Sequence, residues 1–116
     1  MNKNLIKSFG YAFKGIMYTL KTQRNFKIHL VAAIIVIGLA SFFEVSKFEW
    51  LILLLTIGLV LFAELLNTSI EKIVDLVSPE YHILAKHAKD TAAASVLILA
   101  ITAIVIACIV FIPYVF

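Results

Sequence analysis

Three apolar runs, separated by short polar connectors, dominate this chain of 116 residues. The first covers residues 28–43, the second begins at Trp50, and the third covers residues 92–111. A helix of about twenty apolar residues is long enough to cross the hydrocarbon core of a bilayer. Hydrophobic residues make up 63% of the chain and charged residues 15%, a balance that is hard to reconcile with a short water-soluble domain. The sequence therefore predicts an all-α integral membrane protein with one domain and three transmembrane helices.

The ends of these helices are predicted from the polar residues and the helix breakers. We expect spans at about residues 28–43, 49–75 and 88–111, with a connector at residues 44–49 and a polar loop at about residues 78–86. The second helix is expected to continue beyond its apolar half to residue 75, because no Gly or Pro occurs between residue 64 and Pro79. The third helix is expected to end at Pro113.

Residues 2–22 show helical periodicity of a different kind. Apolar side chains recur at steps of three and four on one face, whereas lysines fall almost opposite them. Such a helix is typical of the membrane interface, although a soluble helix packed on a partner would show the same pattern. The apolar face comprises Leu5, Ile6, Phe9, Phe13, Ile16, Met17 and Leu20, and the lysine face comprises Lys3, Lys7, Lys14 and Lys21.

The basic residues predict the orientation of the chain. All of them except Lys47 precede the first span or lie between the second and third, and the positive-inside rule places that side in the cytoplasm. No secretory signal peptide is evident, so insertion is expected to use the mature spans. Cys108 is alone and cannot form an intramolecular disulfide. His29, His82 and His87 lack the spacing of metal ligands, and an interfacial position accounts for them.

Four polar side chains form a stripe along the second half of the second span. If Glu64 is placed at zero, Asn67 lies at about −60°, Glu71 at about −20° and Asp75 at about +20° around the helix. Glu64 is the deepest of the four. An ionisable group at the bilayer centre costs about 2.5 kcal/mol or more, so a functional role is the default interpretation. The structural alternative is that Glu64 pairs with a basic residue and fixes the packing of the helices.

A stripe that grades from buried to exposed is typical of a site where a lipid head group meets a water-soluble reagent. Neighbouring carboxylates attract Mg²⁺, which proteins usually hold through a few carboxylates together with substrate phosphates. Lys89 and Asp90 are expected to lie near the exposed end of the stripe, where a lysine can contact a phosphate. Residues 91–95 are small and are expected to press the third span against the stripe. No glycine-rich phosphate loop of a known type is present.

Two motifs together resemble the signature of the prokaryotic diacylglycerol kinase family, which includes the undecaprenol kinases of Gram-positive bacteria. They are E-x2-N-x3-E-x3-D at residues 64–75 and A-K-D-x-A-A at residues 88–93, and the resemblance covers nearly the whole chain. It implies transfer of the ATP γ-phosphate to the primary hydroxyl of a membrane lipid, undecaprenol or diacylglycerol, with no nucleic-acid partner. It also implies a homotrimer in the bacterial inner (cytoplasmic) membrane, with the N-terminus cytoplasmic and active sites between subunits.

The resemblance further implies roles for individual residues. Glu64 would be the general base on the lipid hydroxyl, Asn67 would support it, and Glu71 would bind the Mg²⁺ that accompanies ATP. Gln23 stands where family members commonly have a glutamate that is a second metal ligand. An amide oxygen can ligate Mg²⁺ but contributes no charge. The nucleotide would contact Tyr11, Gln23, Glu71, Asp75, Glu80, Tyr81, His82, Lys89 and Asp90.

Two other functions are compatible with the sequence. A small proton-coupled transporter would use Glu64 as its exchanging carboxylate, but it would need neither Glu71 nor Lys89 and Asp90. A non-catalytic assembly subunit would tolerate the change Glu64→Gln. Among lipid acceptors, the Gram-positive-like segment at residues 25–30 favours undecaprenol.

Overall fold

The structure, a computed structural model, describes residues 2–116, and side chains from residue 4 onward. This part of the chain forms four α-helices: α1 (Asn2–Thr22), α2 (Arg24–Phe42), α3 (Lys47–Val77) and α4 (Ile83–Val115). Three of them, α2, α3 and α4, are long and apolar enough to cross a membrane. The predicted all-helical fold with three such helices is confirmed. The side chain of Lys3, which belongs to the predicted lysine face, lies outside the described residues.

The start of α3 is determined by a capping box that the sequence analysis did not recognise. The Ser46 hydroxyl accepts a hydrogen bond from the Glu49 backbone N–H at 3.1 Å, and the Glu49 carboxylate accepts one from the Ser46 N–H at 2.9 Å. The helix therefore starts at Lys47, inside the predicted connector. Tyr114 of α4 donates a hydrogen bond to the same Glu49 carboxylate, so this residue also joins α3 to α4.

Both ends of α4 differ from their predicted positions. The Nδ1 atom of His82 accepts a hydrogen bond from the Leu84 N–H at 3.1 Å, and this cap starts the helix at Ile83, inside the predicted polar loop. At the other end, α4 continues through Pro113 to Val115. A proline in the last turn lacks one N–H, yet its fixed φ suits a helix, so it shortens the hydrogen-bond ladder without breaking the helix here.

The central helix is α3, which packs most extensively on α4 and also on α2. Small side chains are buried on all three helices, as close approach of membrane helices requires: Ala33 and Ala40 on α2, Ala63 on α3 and Ala92 on α4. Within the small segment at residues 91–95, Ala92 is the buried member. At the end that carries the connector between α2 and α3, here called the hairpin end, the core consists of Ala40, Val45, Leu53, Val110 and Phe111.

Large apolar side chains cover the outward surfaces of α2, α3 and α4, which suits helices solvated by lipid. The apolar face of α1 is also uncovered, with Phe9 69% and Phe13 63% exposed. An interfacial helix needs such a face, because it inserts these side chains between lipid head groups. The C-terminal half of α1 contacts the bundle, where Thr19 is buried and the Lys72 Nζ lies 5.9 Å above the ring of Tyr18.

The capping box makes a testable prediction about stability. Replacing Ser46 with Ala removes the acceptor for an orphan N–H of α3 and should destabilise the protein by about 1 kcal/mol. The same change at Ser41 is the matched control, because the Ser41 hydroxyl only bonds the carbonyl of Ile37 in its own helix. Thermal unfolding in detergent micelles measures both. Equal midpoints for the two variants would contradict a stabilising cap.

Candidate functional site

The Glu64 carboxylate is the centre of the candidate site. This side chain lies in α3 and is buried, with 2% of the residue exposed. Its Oε1 atom is 3.2 Å from Nε2 of His29 in α2, but in the described chain no donor is oriented to hydrogen-bond this oxygen. A buried polar atom without a partner costs about 1–3 kcal/mol, and more when it is charged. The Oε1 atom of Glu64 can therefore accept a hydrogen bond from a donor outside the described chain.

A second buried acceptor lies one turn further along α3. The Oδ1 atom of Asn67 has no hydrogen-bond donor among the residues that the structure describes. The amide nitrogen of Asn67 makes a long hydrogen bond of 3.5 Å to the Glu71 carboxylate. The hydroxyl of Thr68 donates to the Glu64 backbone carbonyl at 2.9 Å and so does not serve either side chain. The predicted stripe thus contains two buried oxygen atoms that accept no hydrogen bond within the described chain.

At the exposed end of the stripe, α3 and α4 meet through a salt bridge between Asp75 and Lys89. The structure thereby brings together two residues of the predicted nucleotide set. An open hollow of about 340 Å³ lies beside this pair, at the lower end of the size range of small-molecule sites. The loop between α3 and α4 forms its rim. The hollow is lined by Val74, Asp75, Ser78, Pro79, Glu80, Tyr81, His82, Ala85, Lys86 and Lys89.

Three other predicted residues do not line this hollow. Asp90 lies next to it, because it pairs with Lys86, a residue of the lining one turn away on α4. Tyr11 is 66% exposed on α1. Gln23 precedes α2 and makes no capping hydrogen bond with its side chain. Over residues 4–116, no side-chain hydrogen bond or salt bridge joins Tyr11 or Gln23 to Glu71.

The donor set fits a magnesium ion that is shared with phosphates. In the part of the chain described, no three His, Cys, Asp or Glu side chains converge as a closed metal cage. Mg²⁺ does not require one, because it commonly takes one or two carboxylates together with substrate phosphates and water. Glu71 supplies such a carboxylate, half-buried beside the Asn67 amide.

The contact with His29 was missed by the sequence analysis, which interpreted this histidine as interfacial. In α2 it belongs to a packing stripe with Phe26, Ala33 and Ala40, all of which are buried. The steps of three, four and seven residues between Phe26, His29, Ala33 and Ala40 could have indicated that these residues share one face of the helix. However, α2 is apolar around its whole circumference, so this face could not be distinguished from the others. The structural alternative for Glu64, a basic partner that fixes packing, has a candidate in His29.

The family described as "Prokaryotic diacylglycerol kinase" matches residues 10–111. The chain is 44% identical to the undecaprenol kinase of Bacillus subtilis over 107 residues, which cover 92% of this chain and 87% of that protein. It is 47% identical over 104 residues to a diacylglycerol kinase of Synechocystis, covering 89% of this chain and 59% of the relative. The diacylglycerol kinase of Escherichia coli K12 is 34% identical over 105 residues, 90% of this chain and 86% of that protein.

The unsatisfied oxygen of Glu64 predicts a gain in stability when the carboxylate is removed. The change Glu64→Leu should raise the free energy of unfolding by about 1–3 kcal/mol, because it replaces a buried polar group with an apolar one of similar volume. Thermal unfolding in micelles measures this difference. Glu71→Leu is the matched control and should give no gain, since Glu71 is less buried and hydrogen-bonded. A lower midpoint for Glu64→Leu than for the wild type would contradict the prediction.

Proposed function

This chain belongs to the prokaryotic diacylglycerol kinase family and is an ATP-dependent lipid kinase, and we propose that Glu64 is its general base. The observation that carries this proposal is the buried Oε1 atom, which has no oriented donor in the described chain. A lipid hydroxyl is a donor that an apolar bundle can admit. A carboxylate at this position can accept the hydroxyl proton as the lipid oxygen attacks phosphorus.

The reaction proposed for the site is a direct phosphoryl transfer. The lipid oxygen forms a bond to the γ-phosphorus of ATP, while the bond from that phosphorus to the bridging oxygen breaks and its electron pair leaves with ADP. The hydroxyl proton passes to Glu64. Asn67, one turn away, supports the lipid end of the site and holds Glu71 through its amide nitrogen. This arrangement contributes positioning, which accounts for much of the catalysis in phosphoryl transfer.

We propose that Glu71 and Gln23 hold the Mg²⁺ that accompanies ATP. Bound there, the ion would neutralise charge on the phosphates. Glu71 is supported by its place between the lipid end of the stripe and the hollow. For Gln23 the support is the family resemblance at its position, because its side chain makes no contact with Glu71 within the single chain that is described.

The hollow at the exposed end of the stripe is the proposed nucleotide site. Lys89 can interact with phosphate as a point charge, and its salt bridge with Asp75 keeps it beside the stripe. Asp75 lies about 16 Å along α3 from Glu64, by the rise of a helix. An extended nucleotide that starts at the hollow and passes Glu71 would therefore direct its γ-phosphate toward Glu64. The loop at residues 80–82 would contact its other end.

The assembly that we propose is a homotrimer with sites shared between subunits. It is supported by the absence of Tyr11 and Gln23 from the lining of the hollow, since residues that one chain does not gather would be supplied by a neighbouring copy. The whole chain, residues 1–116, would form one membrane-embedded domain in the bacterial inner membrane. Its N-terminus would be cytoplasmic, as the distribution of basic residues predicts, and α1 would lie in the interface.

Transfer of labelled γ-phosphate from Mg-ATP in mixed micelles tests the proposed base. Undecaprenol and diacylglycerol are offered in parallel, and we expect undecaprenol to be the better acceptor. Glu64→Gln should lower kcat by about 10²- to 10⁴-fold, the usual contribution of a general base, while the KM for ATP changes little. Glu44→Gln, the same change in the exposed connector, should retain full activity. Wild-type rates in Glu64→Gln, or no labelling of either lipid by the folded protein, would overturn the proposal.

The role of Gln23 is tested by the magnesium dependence of the rate. Gln23→Glu should lower the Mg²⁺ concentration needed for half-maximal activity, because a carboxylate attracts the ion more strongly than an amide. Asn25→Asp adds the same charge at an exposed position two residues away and is the matched control. If both variants shift the dependence equally, the effect is long-range electrostatics and Gln23 is not a ligand.

A further inference from the structure

His29 occupies a position that the proposed reaction has not used. It lies in the second turn of α2 and faces α3, where its Nε2 atom is 3.2 Å from Oε1 of Glu64. Its side chain is 23% exposed, whereas that of Glu64 is 3% exposed. Among the residues that the structure describes, this is the one contact between the Glu64 carboxylate and a polar side chain of another helix.

The other buried polar groups of the described chain that could donate a hydrogen bond are engaged elsewhere. The hydroxyl of Thr68 donates to the backbone carbonyl of Glu64 at 2.9 Å, and the hydroxyl of Thr19 donates to the carbonyl of Gly15 at 2.8 Å. The Asn67 amide nitrogen donates to Glu71. None of these hydrogen bonds fixes the torsion angles of the Glu64 side chain. The orientation of its carboxylate therefore depends on what it meets across the interface between α2 and α3.

The apolar surroundings of His29 strengthen its interaction with Glu64. His29 also lines an apolar groove between α2, α3 and α4, and it is the only ionisable residue in that lining. The single other polar group there, Thr56, donates its hydroxyl to the carbonyl of Ile52 at 2.7 Å. Polar interactions are stronger in such apolar surroundings than in water, because fewer water molecules and polar groups compete. An imidazole at hydrogen-bond distance can therefore hold a carboxylate in one orientation.

We infer that His29 is the positioning residue for Glu64: its ring nitrogen, across the interface between α2 and α3, keeps the carboxylate oriented toward the lipid hydroxyl. The inference rests on the proposed function of Glu64. A carboxylate has about four lone-pair sites, so Oε1 can accept a hydrogen bond from the ring and from the lipid together. The ring is near but not aligned in this structure, and catalytic hydrogen bonds commonly tighten when substrate binds.

The test compares two substitutions of His29 by kinetics in mixed micelles with Mg-ATP and undecaprenol. His29→Leu should lower kcat by about 10- to 100-fold with the KM for ATP unchanged, since a small misplacement of a reacting group costs up to about that factor. His29→Gln places an amide nitrogen near the position of Nε2 and should recover most of the rate. His87→Leu, the same change at an exposed histidine of α4, is the matched control and should leave the rate unchanged.

Thermal unfolding of the same proteins separates positioning from folding. A purely structural role would lower the unfolding midpoints of both His29 variants. It would not lower kcat selectively while the KM for ATP stays unchanged, and His29→Gln would not recover the rate. A wild-type kcat in His29→Leu, or equal loss in His29→Leu and His29→Gln, overturns the inference. The variant Glu64→Gln separates failure of the His29 inference from failure of the proposed role of Glu64. If that variant is inactive while His29→Leu is fully active, Glu64 remains the base and only the role of His29 fails. If Glu64→Gln is fully active, both fail.

Discussion

The structure depends on one constraint, which is the burial of an ionisable carboxylate within an apolar bundle. Glu64 is 2% exposed in the central helix α3, and small side chains such as Ala33 and Ala63 permit the close approach of neighbouring helices. Burial excludes water, so the few polar groups that reach the carboxylate dominate its behaviour. Its unsatisfied oxygen lowers the stability of the resting protein and at the same time creates affinity for a donor. Stability and the proposed function are therefore opposed at this position.

The polar groups of the proposed site are arranged in order along a single helix, α3. Since α3 advances by about 1.5 Å per residue, side chains on one face lie at different distances along the helix axis. In the proposed site, Glu64 would lie at the lipid end and Glu71 would lie between it and Asp75, which meets Lys89 of α4. Such a site would need no glycine-rich loop to separate the lipid end from the nucleotide end. A short loop of residues 78–82 is enough to form the rim of the hollow.

The sequence predicted the parts of this arrangement that arise from composition and periodicity. Apolar runs predicted the three long helices, and a 100° turn per residue placed the stripe on one face before any contact was known. Helix ends were less well predicted, because they depend on caps such as Ser46 and His82 whose hydrogen bonds are local and specific. His29 was missed because α2 is apolar all round, and only the packing against α3 distinguishes its face. The positions of Tyr11 and Gln23 relative to the stripe depend on contacts that no periodicity encodes.

The well-packed contacts and the proposed reactive groups lie at opposite ends of the bundle. At the hairpin end, Ala40 is fully buried beside Phe111, and Glu49 both caps α3 and accepts a hydrogen bond from Tyr114. These contacts close the bundle on the side away from the stripe. The opposite end contains the buried unsatisfied oxygens, an open hollow and the lightly packed α1. Because marginal stability leaves only a few kcal/mol to spare, well-packed contacts at the hairpin end must offset the unfavourable burial of Glu64. The proposed chemistry at one end would thus depend on the packing at the other, even though the two ends share no side chain.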